Sequence, residues 1–252
     1  MSELTGAAPA WRRVRSQASF ETRLILRNGE QLLVTLILPV LLLIGLAQVS
    51  MIKLDTAGAT RIDFVTPGIL ALAVMSTAFT SQAITTSFDR RNGVLRLLAT
   101  TPLGRGGLLA GKVLAVLTVE AVQVVVIGGV ALLLGWAPPV AGLAPALAAI
   151  VLGTAAFTSL ALLLAGTLRS EAVLAVANLL LVLLTVAGGA VVPATELPGA
   201  LATVAPLLPS GALGDALRGA LLDSALPLGA AIVLAAWTIA LAISAGKLFR
   251  WS

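Results

Sequence analysis

The sequence predicts an all-α integral membrane protein with six transmembrane helices, and composition gives the first reason. Of its 252 residues, 59% are hydrophobic and only 11% are charged. A soluble domain usually carries about 25% charged residues. The same composition excludes a disordered chain, which is poor in apolar residues and rich in net charge. The other two reasons are long uncharged intervals that recur along the chain and basic residues that gather between alternate intervals.

Uncharged or nearly uncharged intervals long enough to cross a bilayer recur six times. A spanning helix needs about 20 mostly apolar residues to cross a hydrocarbon core of about 30 Å. The predicted spans lie at about 32–52, 64–88, 113–136, 143–168, 172–192 and 225–246. Soluble helices average about 11–12 residues, so these intervals are too long for buried helices of a globular protein. No segment between them could bury its own core, which predicts a single transmembrane domain over 1–252.

The positions of Lys and Arg predict the orientation in the membrane. Thirteen of the 16 basic residues fall on one side, and only Lys53, Arg61 and Arg218 fall on the other. Cytoplasmic loops are enriched in basic residues, so we expect both termini in the cytoplasm. Arg outnumbers Lys and Ala is abundant, which is typical of a GC-rich bacterial genome and predicts a bacterial plasma membrane. The basic residues that give the net charge of +5 are mostly these cytoplasmic ones, so the charge does not indicate a nucleic-acid partner.

Two polar segments on the cytoplasmic side are candidates for function. Residues 11–30 alternate basic and apolar positions, which predicts an amphipathic helix at the membrane interface, in contact with lipid. Residues 89–100 predict a short amphipathic helix flanked by arginines, with apolar positions at Val94, Leu95, Leu97 and Leu98. Such a helix is suited to docking in a groove of a partner. The alternative is a loop packed against its own helix ends.

A third segment, residues 193–224, precedes the last predicted span. Prolines divide it into pieces too short to span, so it predicts one or two short re-entrant helices. A plain extracellular loop is the alternative.

Polar residues inside the predicted spans mark a candidate substrate pathway. Glu120 is the only ionisable residue within a span, and Gln123 lies on the same helix face. The second span is unusually polar and contributes Thr80 and Gln82, while the fifth contributes Asn178. Polar residues in spans either line a pathway or bond neighbouring helices. Both interpretations remain open for all five residues.

Several kinds of chemistry are excluded by residues that the chain lacks. It contains no Cys and no His, which removes thiolate nucleophiles, imidazole bases and the usual metal sites. Residues 106–113 fit the phosphate-binding pattern G-x-x-x-x-G-K, but Val113 stands where Ser or Thr must hold magnesium. We therefore expect a non-catalytic membrane protein that does not hydrolyse ATP itself.

Five sequence blocks match a known pattern, and they are Phe64-Val65-Thr66-Pro67-Gly68, Ser87 to Leu98, Thr101-Pro102-Leu103-Gly104-Arg105, Leu109-Ala110-Gly111-Lys112 and Pro206-Leu207-Leu208-Pro209. They resemble the membrane permeases of type-2 ABC transporters, of the drug-resistance, daunorubicin-exporter-like kind. Together with the predicted spans they cover essentially the whole chain. One departure is Asp89, where relatives often carry Glu.

The resemblance implies roles and partners that composition does not give. Residues 89–100 would form a coupling helix that inserts into a separate ATPase subunit, while Arg23 and Arg27 would lie in the junction helix. The implied coupling residues of the 89–100 helix are Asp89, Arg90, Arg91, Val94, Leu95, Arg96, Leu97 and Leu98. Two permease copies, or this chain and a paralogue, would pair with two ATPase subunits. ATP and Mg would bind to those subunits, and no cofactor would bind to this chain.

The resemblance also implies export of a drug-like, hydrophobic or lipid-linked compound. Two other functions stay open on the sequence alone. One is an ion- or proton-coupled secondary transporter that uses Glu120, and the other is a membrane scaffold that transports nothing.

Overall fold

The fold is that of a computed structural model, which describes residues 8–48 and 60–249. Within these residues all regular secondary structure is helical. The α-helices are α1 (Ala10–Arg27), α2 (Gly29–Leu32, the π-helical turn Leu33–Ile37 and Leu38–Gln48), α3 (Arg61–Arg91), α4 (Val94–Ala99), α5 (Gly104–Leu133), α6 (Leu143–Thr167), α7 (Ser170–Val186), α8 (Ala200–Val204), α9 (Pro209–Asp223) and α10 (Leu228–Leu248). Short 3-10 turns lie at Val140–Gly142, Ala194–Glu196 and Ala205–Leu207.

Four helices in the described part of the chain are long and apolar enough to cross a membrane. They are Arg61–Arg91, Gly106–Leu133, Val140–Thr167 and Leu228–Leu248. A fifth is added if the bent pair Ala200–Leu207 and Pro209–Asp223 is counted as one span. These findings confirm the all-helical, multi-pass membrane class.

The predicted total of six spans is not confirmed. The predicted spans 32–52 and 172–192 correspond to the shorter apolar helices Leu33–Gln48 and Ser170–Val186. Residues 49–52 lie outside the described residues, so the end of the first predicted span is untested.

Close packing against α9 ends α7 six residues before the predicted limit of its span. Gly189 adopts φ +76°, a left-handed conformation that favours glycine. Ser210 Oγ donates to the carbonyl of Gly188 at 3.0 Å. A Cβ on Gly188 would lie only 2.3 Å from Ser210 Oγ. The chain therefore turns after Val186 and packs on α9.

The 80° bend before α9 falls where short re-entrant helices are predicted. Their re-entry into the bilayer stays a prediction.

Helix α3 occupies the centre of the bundle. Its most apolar stretch of 18 residues is 94% buried. The helix packs against α2, α5, α6, α7 and α9. At 1.5 Å per residue its 31 residues extend about 46 Å, which exceeds a bilayer core. The π-helical turn Met75–Ser81 in its middle accommodates one extra residue per turn. Such turns often occur at functional sites, and this one carries much of the helix's polar surface.

The remaining helices cover α3 and fix which ends lie together. Helix α6 packs against α3, α9 and α10, and the rings of Phe79 and Phe157 lie 6.3 Å apart at the α3–α6 contact. Helix α1 lies across α5. The end of the bundle that carries α1, α4 and the end of α3 is called the α1 end below. The opposite end carries α8, α9 and the end of α7.

Candidate coupling surface and transport groove

A buried ion cluster joins three helices at the α1 end. Lys112 Nζ, on α5, lies 3.0 Å from Asp89 Oδ2 on α3 and 3.2 Å from Glu21 Oε2 on α1. The Lys112 side chain is only 2% exposed, and Glu21 is also buried. Gln17 donates to the second oxygen of Glu21 at 2.9 Å, so both carboxylate oxygens are bonded. The cluster fixes α1 and the end of α3 to the same point on α5.

Gly111 allows the close approach that this cluster requires. A Cβ on Gly111 would lie 3.0 Å from Gln17 Cβ, so only glycine lets α1 pack this tightly against α5. The G-x-x-x-x-G-K residues lie inside the regular helix α5, and Lys112 is paired with two carboxylates. This geometry differs from a loop that wraps a phosphate. Sequence reasoning missed the cluster, although a lone lysine at a membrane boundary signals a need for acidic partners.

The residues predicted to begin the coupling helix instead end α3. Helix α3 continues to Arg91, so Asp89, Arg90 and Arg91 form its last turn and the prediction of one helix over 89–100 is wrong. Arg90 donates to the carbonyl of Leu168, and Arg91 lies 2.6 Å from Glu171 across the start of α7. The pKa of Glu171 is lowered because its own backbone N–H and Arg91 stabilise the carboxylate. These three residues hold neighbouring helix ends, and only Arg91 keeps an exposed side chain.

The short helix α4 follows a tight turn and divides its apolar residues between two directions. Gly93 adopts φ +74°, which lets the chain reverse after α3. Leu95 is 1% exposed and packs inward, whereas Leu97 is 68% exposed. Val94 and Arg96 are also exposed, and Leu98 is half-buried. The four apolar residues therefore do not form one docking face, because Leu95 belongs to the core.

A wide groove separates α1 from α4 and the turn that follows α4. It encloses about 710 Å³, and its wall includes Leu98 and the 58% exposed Phe20. We call this groove together with exposed Val94, Arg96 and Leu97 the α1/α4 surface. Its lining residues are Ala8, Arg12, Arg13, Ser16, Gln17, Phe20, Leu98, Thr101, Pro102 and Leu103. Arg23 and Arg27 are exposed on other sides of α1 and do not line it.

Two adjoining cavities form a polar groove along α3. The outer cavity, about 380 Å³, opens beside α1 and α4 and includes Arg27, Gln82 and Asp89. The inner cavity, about 340 Å³, lies between α2, α3 and α7. Its lining residues are Asn28, Gln31, Val34, Thr35, Ser76, Thr80, Ser81, Ile84, Thr85, Leu174 and Asn178. The two cavities share Asn28, Gln31 and Thr85, so they form one groove that begins at the α1 end.

Three of the five predicted pathway residues line this polar groove. Thr80 and Asn178 line the inner cavity, and Gln82 lines the outer one. Thr80 Oγ1 and Gln82 Oε1 are buried and have no hydrogen-bond partner among the described residues. A buried polar atom without a partner is costly, and such atoms call for an explanation such as a ligand or water. The groove therefore presents unused hydrogen-bonding capacity at membrane depth.

The other two predicted pathway residues bond helices together and do not line the groove. Glu120 Oε2 accepts a 2.6 Å hydrogen bond from Thr154, which joins α5 to α6. Gln123 donates to the carbonyl of Thr35 on α2 and, at 2.8 Å, to Thr77 on α3. Both side chains are nearly fully buried, and neither lines a cavity of the polar groove. Their contacts favour the helix-packing interpretation.

At the opposite end, Arg218 holds α9 against the turn after α7. Its guanidinium donates to the carbonyls of Gly189 at 2.7 Å and Ala190 at 3.0 Å, and it bonds Asp215 at 2.9 Å. The first two contacts satisfy carbonyls just beyond the end of α7. Gly68 of α3 packs against the same segment, because a Cβ there would lie 3.0 Å from Val191 Cα.

Among the described residues, no group of three or more His, Cys, Asp or Glu side chains is arranged to hold a metal ion. The acidic pair Glu21 and Asp89 already shares Lys112.

The described part of the chain is a multi-pass helical bundle with a polar groove between its helices, an arrangement that fits a membrane transport component. Residues 14–222 match the family model described as ABC-2 type transporter. The chain belongs to this family, which confirms the resemblance to ABC permeases. No curated protein matches the chain.

Proposed function

We propose that this chain is the permease subunit of an ATP-driven exporter in a bacterial plasma membrane, with both termini in the cytoplasm. Two copies, or this chain and a paralogue, would assemble with two ATPase subunits that bind ATP and Mg. The observation that carries the proposal is the proximity of two features at the α1 end. The α1/α4 surface exposes apolar side chains for a partner, and the polar groove opens beside it.

The contacts at the α1 end suggest how movement of a docked ATPase would reach the groove. A force on α4 passes to the end of α3, and the ion cluster of Lys112 passes it to α1 and α5. Helix α2 forms one wall of the inner cavity, and α3 and α7 form the other two. Arg90 and Arg91 join these two helices at their ends. Closure of the ATPases would thus move these two walls and release cargo outward.

The proposed cargo is a drug-like, hydrophobic or lipid-linked compound, so that drug resistance and antibiotic efflux are the expected biological outcomes. The groove supports an amphipathic cargo because it combines polar residues with Val34, Ile84 and Leu174. An opening toward lipid between α2 and α7 would let such a compound enter from the inner leaflet.

Reconstitution with the partner tests the proposal. The chain is co-purified with a candidate ABC ATPase and inserted into liposomes, and ATP-driven uptake of chemically diverse compounds is measured. We expect uptake that needs ATP and is lost when the ATPase cannot hydrolyse it. Uphill transport by this chain alone, without any ATPase, would contradict the proposal.

A second candidate function is an ion- or proton-coupled secondary transporter that uses Glu120. The observation in its favour is the buried Glu120 Oε1, which has no hydrogen-bond partner among the described residues. A proton gradient would then drive transport in the absence of ATP.

A further inference from the structure

We infer that the inner cavity of the polar groove selects cargo carrying an uncharged group that donates hydrogen bonds, attached to an apolar tail. The inference rests on the proposed export function and adds the chemical class of the recognised group. It follows from the lining of the inner cavity and from two buried oxygen atoms, Thr80 Oγ1 in that cavity and Gln82 Oε1 in the adjoining outer cavity.

The lining of the inner cavity is polar and carries no ionisable side chain. Eight of its eleven residues are Ser, Thr, Asn or Gln, and the other three are Val34, Ile84 and Leu174. A charged head group placed there would lose water and meet no opposite charge. In the adjoining outer cavity, Glu21 and Asp89 are already paired with Lys112, and the basic residue Arg27 is exposed and stays outside the inner cavity. A neutral group loses far less hydration on entry, so the site favours it.

The two unpartnered oxygen atoms indicate whether the cargo must donate or accept the missing hydrogen bonds. Gln82 Oε1 can only accept, and Thr80 Oγ1 can accept or donate. A head group that occupies the inner cavity and reaches into the adjoining outer cavity must therefore supply an O–H or N–H to satisfy Gln82. Sugar hydroxyls and amides have such donors, whereas a phosphate diester and a quaternary ammonium have none. The site consequently discriminates by donors as well as by charge.

The surroundings of the cavity supply a path for the tail. Val34 and Leu174 are partly exposed at its edge, on α2 and α7. Thr80 lies 11 residues before the end of α3, which is about 16 Å along the helix and near the middle of a bilayer core. A head group bound at Thr80 would therefore place its tail among lipid-facing side chains. The occupant we assign to the cavity is thus an amphiphile with a hydroxyl- or amide-bearing head.

The test compares probes that differ only in the head group. The permease–ATPase complex is reconstituted in phosphatidylcholine–phosphatidylglycerol vesicles, and ATP-driven translocation of fluorescent-tailed lipids is measured. The probes carry glucosyl, phosphocholine or trimethylammonium heads on the same tail. Binding of each probe to the purified permease is measured in parallel by tail fluorescence. We expect the glucosyl lipid to bind about tenfold more tightly than the other two, the effect of about one hydrogen bond.

Variants assign the preference to the cavity. Thr80→Val keeps the shape of the side chain but removes the hydroxyl, and it should abolish most of the glucosyl preference. The matched control is Thr238→Val on α10, whose hydroxyl bonds only its own helix at the carbonyl of Leu234. This control should leave the preference unchanged.

Two results would overturn the inference. One is equal or tighter binding of a charged probe. The other is a Thr80→Val variant that weakens association of two permease copies and leaves probe selectivity intact, because a second chain would then cover the cavity. The proposed function fails separately, when probes bind selectively but ATP moves none of them.

Discussion

Lys112 Nζ on α5 lies 3.0 Å from Asp89 Oδ2, which belongs to the last turn of α3. The lysine also pairs with Glu21 on α1, so one buried cation holds three helices together. Such a cluster gives little net stability relative to apolar packing, but removal of one member leaves uncompensated charge. Its value here lies in fixing α1 and the end of α3 at one position on α5.

Replacement of Lys112 should destabilise the protein. In Lys112→Met, Glu21 is left buried without its cation, and we expect a loss of about 3 kcal/mol in unfolding free energy. Thermal unfolding of the purified variant in detergent measures this loss. The control is Lys247→Met, which removes an exposed lysine. Adding Glu21→Gln and Asp89→Asn to Lys112→Met should recover part of the loss, and failure of this rescue would contradict the pairing.

An engineered disulfide tests whether α1 and α5 move as one body. The chain has no cysteine, and a Cβ on Gly111 would lie 3.0 Å from Gln17 Cβ. A disulfide usually needs about 3.8 Å between Cβ atoms, so Gln17→Cys with Gly111→Cys requires a shift of about 1 Å. We expect the pair to cross-link on oxidation, as measured by mass spectrometry.

Transport measured before and after oxidation then reports on the movement. If the ion cluster keeps α1 fixed on α5 through the cycle, the cross-linked complex transports at the normal rate. Inhibition that a reductant reverses would show that the two helices must separate. Each single-cysteine variant serves as the control for oxidation itself.

The divided apolar residues of α4 predict different effects for two leucines. Leu97 is exposed, so Leu97→Asp should prevent capture of the ATPase in a pull-down while the melting temperature stays unchanged. Leu95 is buried, so Leu95→Ala should cost about 2–5 kcal/mol of stability. Normal capture of the ATPase by Leu97→Asp would show that α4 is not part of the docking surface.

Neutralising Glu120 should leave ATP-driven transport intact. In Glu120→Gln the side-chain carbonyl can still accept the hydrogen bond of Thr154, so the α5–α6 contact is kept. We expect an unchanged transport rate and an unchanged response to a protonophore in proteoliposomes. A variant that loses transport yet retains its fold and its ATPase partner would favour the proton-coupled alternative. Thr154→Val, which removes the donor only, is the matched control for helix packing.

The fold class was predictable because it depends on composition. Long uncharged intervals must be helical in lipid, where every backbone polar group needs an internal partner. The helix ends were less predictable, because they depend on contacts between distant residues. Helix α7 ends early through packing of Gly188 against Ser210, which are 22 residues apart. Helix α3 extends to Arg91 because its last turn is held by α5 and α7.

The candidate site was likewise predictable only in part. Thr80, Gln82 and Asn178 were selected by residue type, and the structure places all three along one groove. Glu120 and Gln123 were selected by the same reasoning but bond neighbouring helices instead. Residue type shows that a polar side chain in a span needs a partner. Only the packing of α2, α5 and α6 decides whether that partner is another helix or a ligand.

The central position of α3 has a consequence for biogenesis. This helix carries much of the polar surface in the bundle and is enclosed on nearly all sides. Its covering helices α5, α6 and α9 follow it in the chain, and α9 ends only at Asp223. The ribosome must therefore make about 130 further residues before α3 is fully shielded from lipid. Until then its hydroxyl and amide groups lack the partners that later helices supply, such as Gln123 for Thr77.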